Sequence, residues 1–248
     1  MKLKGKVALI TGSAANIGKA IALKFAAEGA KIIINTKNNV AGGEQVKEEI
    51  IASGGEAIFI QADVSDPKQV NNLFAKAVEK FATIDILINN AGSAIRVPFL
   101  ESTKEHWSNI FDNNLFSTVL CSIEAVKIMK QNESGQILNM ASIRGIEHSG
   151  STTSMAYSAA KAAIINFTKT LAKELAPHIL VNAVAPGFTK STAFDNLPEA
   201  KINAFIDGSL LKKWITPDEI ADAFLYLAGS QSITGEVLVV DAGWTLNY

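Results

Sequence analysis

Tyr157 and Lys161 are the two residues whose types and spacing most directly indicate chemistry. They lie four positions apart in a stretch with a helical pattern, so both side chains project from the same helix face. A free phenol has a pKa of about 10, which is too high for proton exchange at neutral pH. A nearby ammonium favours the phenolate and lowers that pKa, so the pair predicts a tyrosine that acts as an acid or base. The spacing can also arise by chance, so it needs support from the rest of the chain.

A second chemical feature is the turn TGSAANIGKA, which lies between a short apolar run and a helical pattern. It does not fit the phosphate loop G-x4-G-K-[ST], because five residues separate Gly12 from Gly18 and Lys19 is followed by Ala20. It does not fit GxGxxG either, because no spaced glycine follows Ser13. The remaining pattern is T-G-x-x-x-N-x-G.

The asparagine of this turn, Asn16, is compatible with phosphate binding. Glycine in such a turn supplies a positive φ and lets the backbone approach a pyrophosphate closely. Asparagine is among the residues that best tolerate a left-handed conformation. The helix that follows would present its N-terminus to the anion. The turn is therefore a candidate nucleotide site whose amide side chain either intrudes on the phosphates or donates to them.

Short apolar runs alternate with longer helical patterns along the whole chain. This alternation predicts one doubly wound α/β domain over residues 1–248, with about seven parallel strands covered by helices on both faces. The predicted strands are Val7–Ile10, Lys31–Asn35, Ala57–Ile60, Ile84–Ile88, Gln136–Met140, Ile179–Val184 and Glu236–Val240. The predicted helices lie near 17–28, 40–53, 67–80, 104–130, 155–175 and 217–228.

Composition excludes several classes of protein. Hydrophobic residues make up 48% of the chain and charged residues 19%, which predicts a large buried core. The net charge of −1, without long runs of one sign, argues against nucleic acid as a partner. No apolar stretch approaches the roughly 18 residues of a spanning helix, so no membrane partner is expected. The lone Cys121 suits a reducing cytoplasm, and no histidine has the spacing of a metal ligand.

The glycine turn resembles the Thr-Gly-x-x-x-Gly-x-Gly turn of the short-chain dehydrogenase/reductase family, with Asn16 at the middle glycine. The resemblance extends over the full chain through ordered motifs. These are Asp63-Val64, the NNAG stretch Asn89–Gly92, YSAAK at 157–161, Val181-Asn182, Pro186-Gly187, Ile233–Gly235 and Val240-Asp241. It implies a Rossmann-type fold and hydride transfer between a nicotinamide cofactor and a carbonyl or alcohol substrate. Reduction of 3-oxoacyl groups on acyl carrier protein is a frequent role in this family.

The resemblance implies a catalytic set of Asn114, Ser142, Tyr157 and Lys161. In that set Ser142 holds the substrate oxygen and Tyr157 supplies the proton. Lys161 stabilises the phenolate and binds the nicotinamide ribose, and Asn114, rather than its neighbour Asn113, serves a proton relay. The interval from Ser142 to Tyr157 is two residues longer than the family form, with the insertion in IEHSGSTTSMA. The cofactor contacts implied are Gly12, Ser13, Asn16, Ile17, Gly18, Thr36, Lys37, Asp63, Val64, Asn90, Ala91, Gly92, Tyr157, Lys161, Pro186, Gly187 and Thr189.

The end of the second strand decides which nicotinamide cofactor is expected. An acid there would bind the adenosine ribose hydroxyls and repel a 2′-phosphate. The chain instead has Thr36, followed by Lys37, which could pair with that phosphate, and Asn38, which could add a donor. This favours NADP, and NAD stays possible if Lys37 is a solvated loop lysine.

The substrate is not fixed by the sequence. Residues 188–214 form a long apolar excursion, which is either a lid over the substrate pocket or a surface helix pair packed on the core. Arg144 and His148 could meet an anionic or polar substrate tail, although such lone residues are more often surface groups. A nucleotide-binding regulator or scaffold without turnover is the alternative to a carbonyl reductase. The resemblance also implies a homodimer or homotetramer, formed through the helices near 104–130 and 155–175 and the C-terminal segment.

Overall fold

The computed structural model describes residues 1–192 and 197–247. Within them a seven-stranded sheet has the order β3-β2-β1-β4-β5-β6-β7, and every neighbouring pair is parallel. The strands are β1 Val7–Ile10, β2 Lys31–Thr36, β3 Ala57–Gln61, β4 Ile86–Asn89, β5 Gly135–Met140, β6 Ile179–Pro186 and β7 Val237–Val240. The predicted doubly wound sheet is confirmed, with strand ends shifted by one or two residues.

The helices of the described residues alternate with these strands, as predicted. They are α1 Asn16–Ala27, α2 Val40–Ala52, α3 Pro67–Phe81, α4 Lys104–Phe111, α5 Ser117–Gln131, α6 Met155–Leu175, α7 Glu199–Gly208 and α8 Pro217–Ala228. Two of them, α3 and α8, begin with a proline at the first helical position, as the sequence predicts. Asp66 caps α3, and Thr216 caps α8 in a reciprocal capping box with Glu219.

The buried core lies in two layers, one on each face of the sheet. Neighbouring residues of β1 belong to different layers, because successive strand side chains point to opposite faces. Ile10 packs with α1, α2 and α8, whereas Leu9 packs with α3, α5 and α6. In the described part of the chain, no helix is long and apolar enough to cross a membrane.

A predicted single helix over 104–130 is wrong in one respect. The structure divides it into α4 and α5 with a π-helical turn between them, Asp112–Phe116. Such a turn changes the hydrogen-bond spacing without changing the apolar pattern, so periodicity does not reveal it. Its position matters, because Asn114 lies inside it.

Candidate active site

The candidate site lies where the strand order reverses. β1 is followed along the chain by its neighbour β2, but its other neighbour is β4, so a crevice opens between β1 and β4 at their carboxyl ends. A cavity of about 330 Å³ occupies this crevice. Its walls come from the glycine turn, the ends of β2 and β3, and the segment after β4; they include Gly12, Thr36, Lys37, Asp63, Val64, Ala91 and Gly92.

The glycine turn is held close against the segment after β4. The Asn90 side-chain amide donates to the carbonyl oxygens of Thr11 (2.8 Å) and Gly12 (3.0 Å). A Cβ at Gly18 would lie 2.4 Å from the Gly12 carbonyl oxygen, so no larger residue fits there. Ala15 precedes α1 in an extended conformation and gives no side-chain cap. The first N–H groups of α1 are thus left for another acceptor.

Asn16 adopts the left-handed conformation that the sequence requires of it, with φ of 50°. Its side chain pairs reciprocally with Thr192, which is 176 residues further along the chain. The Asn16 amide nitrogen donates to Thr192 Oγ1 (3.1 Å), and the Thr192 N–H donates to Asn16 Oδ1 (3.2 Å). The amide therefore connects the turn to the segment after β6.

Removal of this pair is expected to loosen the segment after β6 without unfolding the protein. Asn16→Gly keeps the left-handed backbone but loses both hydrogen bonds, each worth about 0.5–1.5 kcal/mol. We expect trypsin to cleave after the exposed Lys190 several-fold faster, as followed by mass spectrometry. Thr192→Val should have a smaller effect in the same direction, because it loses the bond to Oγ1 but keeps the N–H that donates to Asn16 Oδ1. The double variant should match Asn16→Gly. Faster cleavage in Asn16→Gly alone would contradict a shared role.

Ser13, which the resemblance implies as a cofactor contact, is turned into the protein. Its N–H donates to the Asn35 carbonyl (2.8 Å), and its hydroxyl donates to the Ile10 carbonyl (2.7 Å). The same hydroxyl accepts from the Asn35 N–H (3.1 Å). Ser13 therefore ties the turn to β2 and has no hydrogen left for a ligand.

Lys37 and Asp63 form an ion pair at the far end of the cavity, with 2.6 Å between Lys37 Nζ and Asp63 Oδ2. Burial acts to raise the pKa of Asp63, but hydrogen bonds from Lys37 and Ser65 hold it below its usual value. The carboxylate is thus ionised at neutral pH. The sequence assigned these two residues separate roles, whereas the structure pairs their charges.

Lys161 is 2% exposed, and its ammonium donates to the Met140 carbonyl oxygen at 2.7 Å. Burial lowers the pKa of Lys161 to about 7. Its Nζ lies 5.5 Å from the centre of the Tyr157 ring. The predicted proximity of the two side chains is therefore found.

Tyr157 differs from the expectation in the direction of its pKa. Burial raises the pKa of its phenol, while a hydrogen bond with Ser142 and the charge of Arg144 act in the opposite direction. The opposing cation is thus Arg144 rather than Lys161. A lysine whose own pKa is near 7 carries only part of a charge at neutral pH, which limits what it can do for the phenolate.

Asn114 is fully buried in the π-helical turn. Its side-chain nitrogen donates to the carbonyls of Ser93 and Ile110, both at 2.9 Å. Its Oδ1 has no hydrogen-bond partner among the described residues. A Cβ built on Gly92 would lie 2.5 Å from this oxygen and 3.7 Å from Lys161 Nζ, so a small gap separates the two groups. The Asn113 side-chain nitrogen donates instead to the carbonyl oxygen of Asn109 in α4.

A second cavity, of about 260 Å³, contains the hydroxyl-bearing pair Ser142 and Tyr157 in its wall. Ile17, Pro186, Gly187 and Thr189 also line it, as do Arg96, Arg144 and Phe188. The segment 146–154, where the two-residue insertion is expected, forms a loop whose Ser151 and Ser154 line this cavity. The buried Ser149 holds that loop, because its hydroxyl donates to the Ile143 carbonyl.

The described part of the segment predicted as an excursion over 188–214 includes the helix α7, none of whose residues is fully buried. The Phe188 ring stacks on Phe205 at 4.0 Å between centroids and meets Trp244 edge-on at 5.2 Å. Phe205 in turn contacts Trp214. The part of this prediction that concerns residues 193–196 lies outside the described residues.

Comparison with known proteins identifies the fold and the family. Solved structures with the same architecture include a short-chain type dehydrogenase/reductase from Mycobacterium marinum, with a TM-score of 0.91 and 33% identity, covering 98% of this chain and 96% of the other. A short-chain dehydrogenase from Burkholderia cenocepacia, solved in complex with NADP, has a TM-score of 0.91 and 31% identity, covering 99% and 100% of the two chains.

Sequence comparison agrees. A family described as enoyl-(acyl carrier protein) reductase matches residues 12–245. The chain is 40% identical to a 3-oxoacyl-[acyl-carrier-protein] reductase of Synechocystis, covering 98% of each chain. The corresponding Thermotoga maritima enzyme is 36% identical, covering 98% of this chain and 99% of the relative. The chain belongs to the short-chain dehydrogenase/reductase family. It is therefore an oxidoreductase.

Two site features of this short-chain dehydrogenase/reductase were missed by sequence reasoning. The first is the partnership of Asn16 with Thr192, and the second is the seat of Arg144 between aromatic rings. Asn16 and Thr192 are 176 positions apart, so no local sequence pattern indicates that they are bonded. The rings around Arg144 come from Phe188 and Trp244, which the sequence places in different segments.

Proposed function

We propose that the protein is an NADPH-dependent reductase of carbonyl compounds, with 3-oxoacyl thioesters among its candidate substrates. The observation that carries this proposal is the grouping of Ser142 and Tyr157 in one cavity wall, with Lys161 5.5 Å from the tyrosine ring. Hydrogen-bond donors beside a proton donor are what a carbonyl oxygen needs as it gains negative charge.

The residues present fit a dinucleotide. The uncapped start of α1 offers N–H groups to a pyrophosphate, and Gly18 leaves room for its approach. Asp63 and Val64 would then hold the adenosine side of the cofactor, and Asn90, Ala91 and Gly92 its middle. When bound, a nicotinamide cofactor supplies the hydride or accepts it.

In the reducing direction, the Ser142 hydroxyl donates a hydrogen bond to the carbonyl oxygen of the substrate. Tyr157 gives its phenolic proton to that oxygen once the carbon has been reduced. The raised pKa of Tyr157 keeps the phenol protonated at neutral pH, as an acid requires. Lys161 and the Oδ1 of Asn114, which has no hydrogen-bond partner among the described residues, border the gap through which the phenolate would be reprotonated.

NADPH is the proposed cofactor because β2 ends without an acid. Thr36 stands there, and Lys37 can turn from Asp63 toward a 2′-phosphate, since its side chain is 52% exposed. The Burkholderia cenocepacia relative solved with NADP supports the same choice. The apolar segment 188–214 is proposed to cover the substrate, within a single catalytic domain of residues 1–248.

Lys37→Ala is expected to weaken NADPH binding about tenfold and to leave NADH binding within about twofold, because only NADPH carries the extra phosphate. Isothermal titration calorimetry at matched salt measures both affinities. Lys31→Ala is the matched control, since Lys31 begins the same strand and pairs with Glu56. If the wild-type protein bound NADH more tightly than NADPH, the NADPH assignment would be overturned and the assignment as a reductase would stand.

The test of the reaction itself offers NADPH with a simple ketone, a 3-oxoacyl thioester and an enoyl thioester. Oxidation of NADPH by the first two, followed at 340 nm, is the expected result. Turnover of the enoyl thioester alone would overturn carbonyl reduction in favour of the reaction named by the family description. Binding of neither cofactor would favour a regulator or scaffold.

Assembly into a dimer or tetramer, in the cytoplasm, is part of the proposal. Large apolar side chains are exposed on α5 and β7, among them Ile123 (48%) and Val239 (39%). We propose that these side chains lie where a second copy packs.

A further inference from the structure

The two arginines of this chain are confined to one place. Of its 23 basic residues only Arg96 and Arg144 are arginine, and the others are lysine. Both line the cavity that contains Ser142 and Tyr157. A guanidinium differs from an ammonium in presenting a planar fork that binds a carboxylate or phosphate through two hydrogen bonds. The two forks therefore lie where a substrate would bind.

Arg144 is held in a defined orientation. Its guanidinium carbon lies 5.2 Å from the centre of the Phe188 ring and 4.9 Å from that of Trp244. Its Nη1 donates to the Ser149 carbonyl at 3.0 Å. Stacking on aromatic faces and a backbone hydrogen bond restrict the plane of the guanidinium. An arginine fixed in this way loses little entropy when it binds an anion.

Arg144 is also tied to the reacting groups. It follows Ser142 by two residues, and its backbone N–H donates to Ser142 Oγ at 3.1 Å. Its positive charge acts to lower the pKa of the Tyr157 phenol, against the effect of burial. Arg96, which is exposed, reaches the same cavity from the segment after β4. The cation beside the proton donor is therefore an arginine of the cavity wall.

The position of Arg144 limits the substrate. Because Arg144 lies beside Ser142 and its charge acts on Tyr157, an anion bound by its guanidinium lies close to the carbonyl that these two residues would hold. The cavity is shared with the proposed cofactor, since Ile17, Pro186, Gly187 and Thr189 also line it. The phosphate of an extended carrier arm is many bonds from the carbonyl and would lie farther away.

We propose that Arg144, assisted by Arg96, selects a small carbonyl compound that carries an oxyanion, namely a compact oxo acid. This inference rests on the proposed function, since it names the substrate class of the same site. The shared chemistry is an anionic oxygen group held by a guanidinium. A carboxylate on the reacting molecule is the favoured source, and a phosphate on a carrier arm is the other.

The kinetic test compares acetoacetate with methyl acetoacetate, which share a ketone and differ in charge. We expect the kcat/KM of the wild-type enzyme with NADPH to be at least tenfold higher for acetoacetate. In Arg144→Met this ratio falls to about one, and in Arg144→Lys it is intermediate because charge remains but the fork is lost. Lys190→Met, an exposed cation beside the same cavity, keeps the wild-type ratio. A wild-type ratio near one, or a ratio unchanged by Arg144→Met, overturns the proposal.

The source of the anion is tested with acetoacetyl-pantetheine and acetoacetyl-phosphopantetheine. Equal kcat/KM for these two supports the compact oxo acid. A preference for the phosphorylated arm that Arg144→Met removes, without a preference for acetoacetate over its ester, overturns it and assigns the arginine to the carrier.

A binding measurement separates this inference from the proposed function. Malonate resembles acetoacetate in size, has a second carboxylate in place of the acetyl group, and therefore has no ketone to reduce. We expect calorimetry to detect saturable malonate binding to wild-type protein, weakened at least fivefold in Arg144→Met. Malonate binding without reduction of any ketone would contradict the proposed function alone. Ketone reduction without malonate binding would overturn the arginine proposal alone.

Discussion

Replacing Tyr157 with phenylalanine is expected to lower turnover by about 10²–10⁴-fold while leaving cofactor affinity within about twofold. The substitution removes one oxygen from a residue of the cavity wall, so the ring and its contact with Lys161 remain. Without the phenol, no group in the described wall supplies the proton in the same position. Steady-state kinetics with the best substrate and calorimetry with NADPH give the two quantities.

The pH dependence of the wild-type enzyme shows whether the phenol is the acid. Burial raises the pKa of Tyr157, so reduction should stay level through neutral pH and fall only as the phenol ionises at high pH. Oxidation needs the phenolate and should rise over the same range. Tyr226→Phe, on the exposed face of α8, is the control and should change neither profile. An active Tyr157→Phe enzyme with unchanged profiles would contradict the assignment.

Replacing Lys161 with methionine is expected to change both activity and the way stability depends on pH. The folded protein holds the Lys161 pKa at about 7, whereas an unfolded lysine titrates near 10.4. Between these values the unfolded chain binds more protons, so the free energy of unfolding of the cofactor-free protein rises with pH. From pH 7 to pH 9 this lysine should contribute about 2 kcal/mol to that rise. The methionine variant should lack this contribution and should also lose most of its turnover.

Urea unfolding at several pH values measures this difference. Lys169→Met is the matched control, because Lys169 lies on the same helix and is exposed. It should keep the wild-type pH dependence. If Lys161→Met and wild type showed the same slope, Lys161 would be charged in the folded protein at pH 9, contrary to the effect of its burial.

Much of the fold could be predicted because its strands are buried on both faces. Runs such as Val7–Ile10 and Ile32–Ile34 are apolar at every position, which is characteristic of a central parallel strand. The ends of these strands were predicted less well. Terminal residues such as Thr36 are held by the neighbouring strand β3 and not by their own type.

The candidate site was predictable only where short motifs report it. Tyr157 and Lys161 are neighbours on one helix face, so their spacing places them together. The pKa values of the same two residues depend on burial and on Arg144, which the spacing does not describe. The pairing of Lys37 with Asp63 likewise requires β2 and β3 to be adjacent.

Asn89 belongs to a chain of buried hydrogen bonds that joins β4 and β5 to two helices. Its amide donates to Ser122 (3.1 Å) and Asn139 (2.9 Å), and the Asn139 amide donates to Thr168 at 2.9 Å. A recombined gene could take β4, β5, α5 and α6 from different homologues. The chain of hydrogen bonds would then break unless all its partners came from the same parent. A donor left without its acceptor there costs about 1–3 kcal/mol. Crossover points for gene shuffling therefore belong before β4 or after α6.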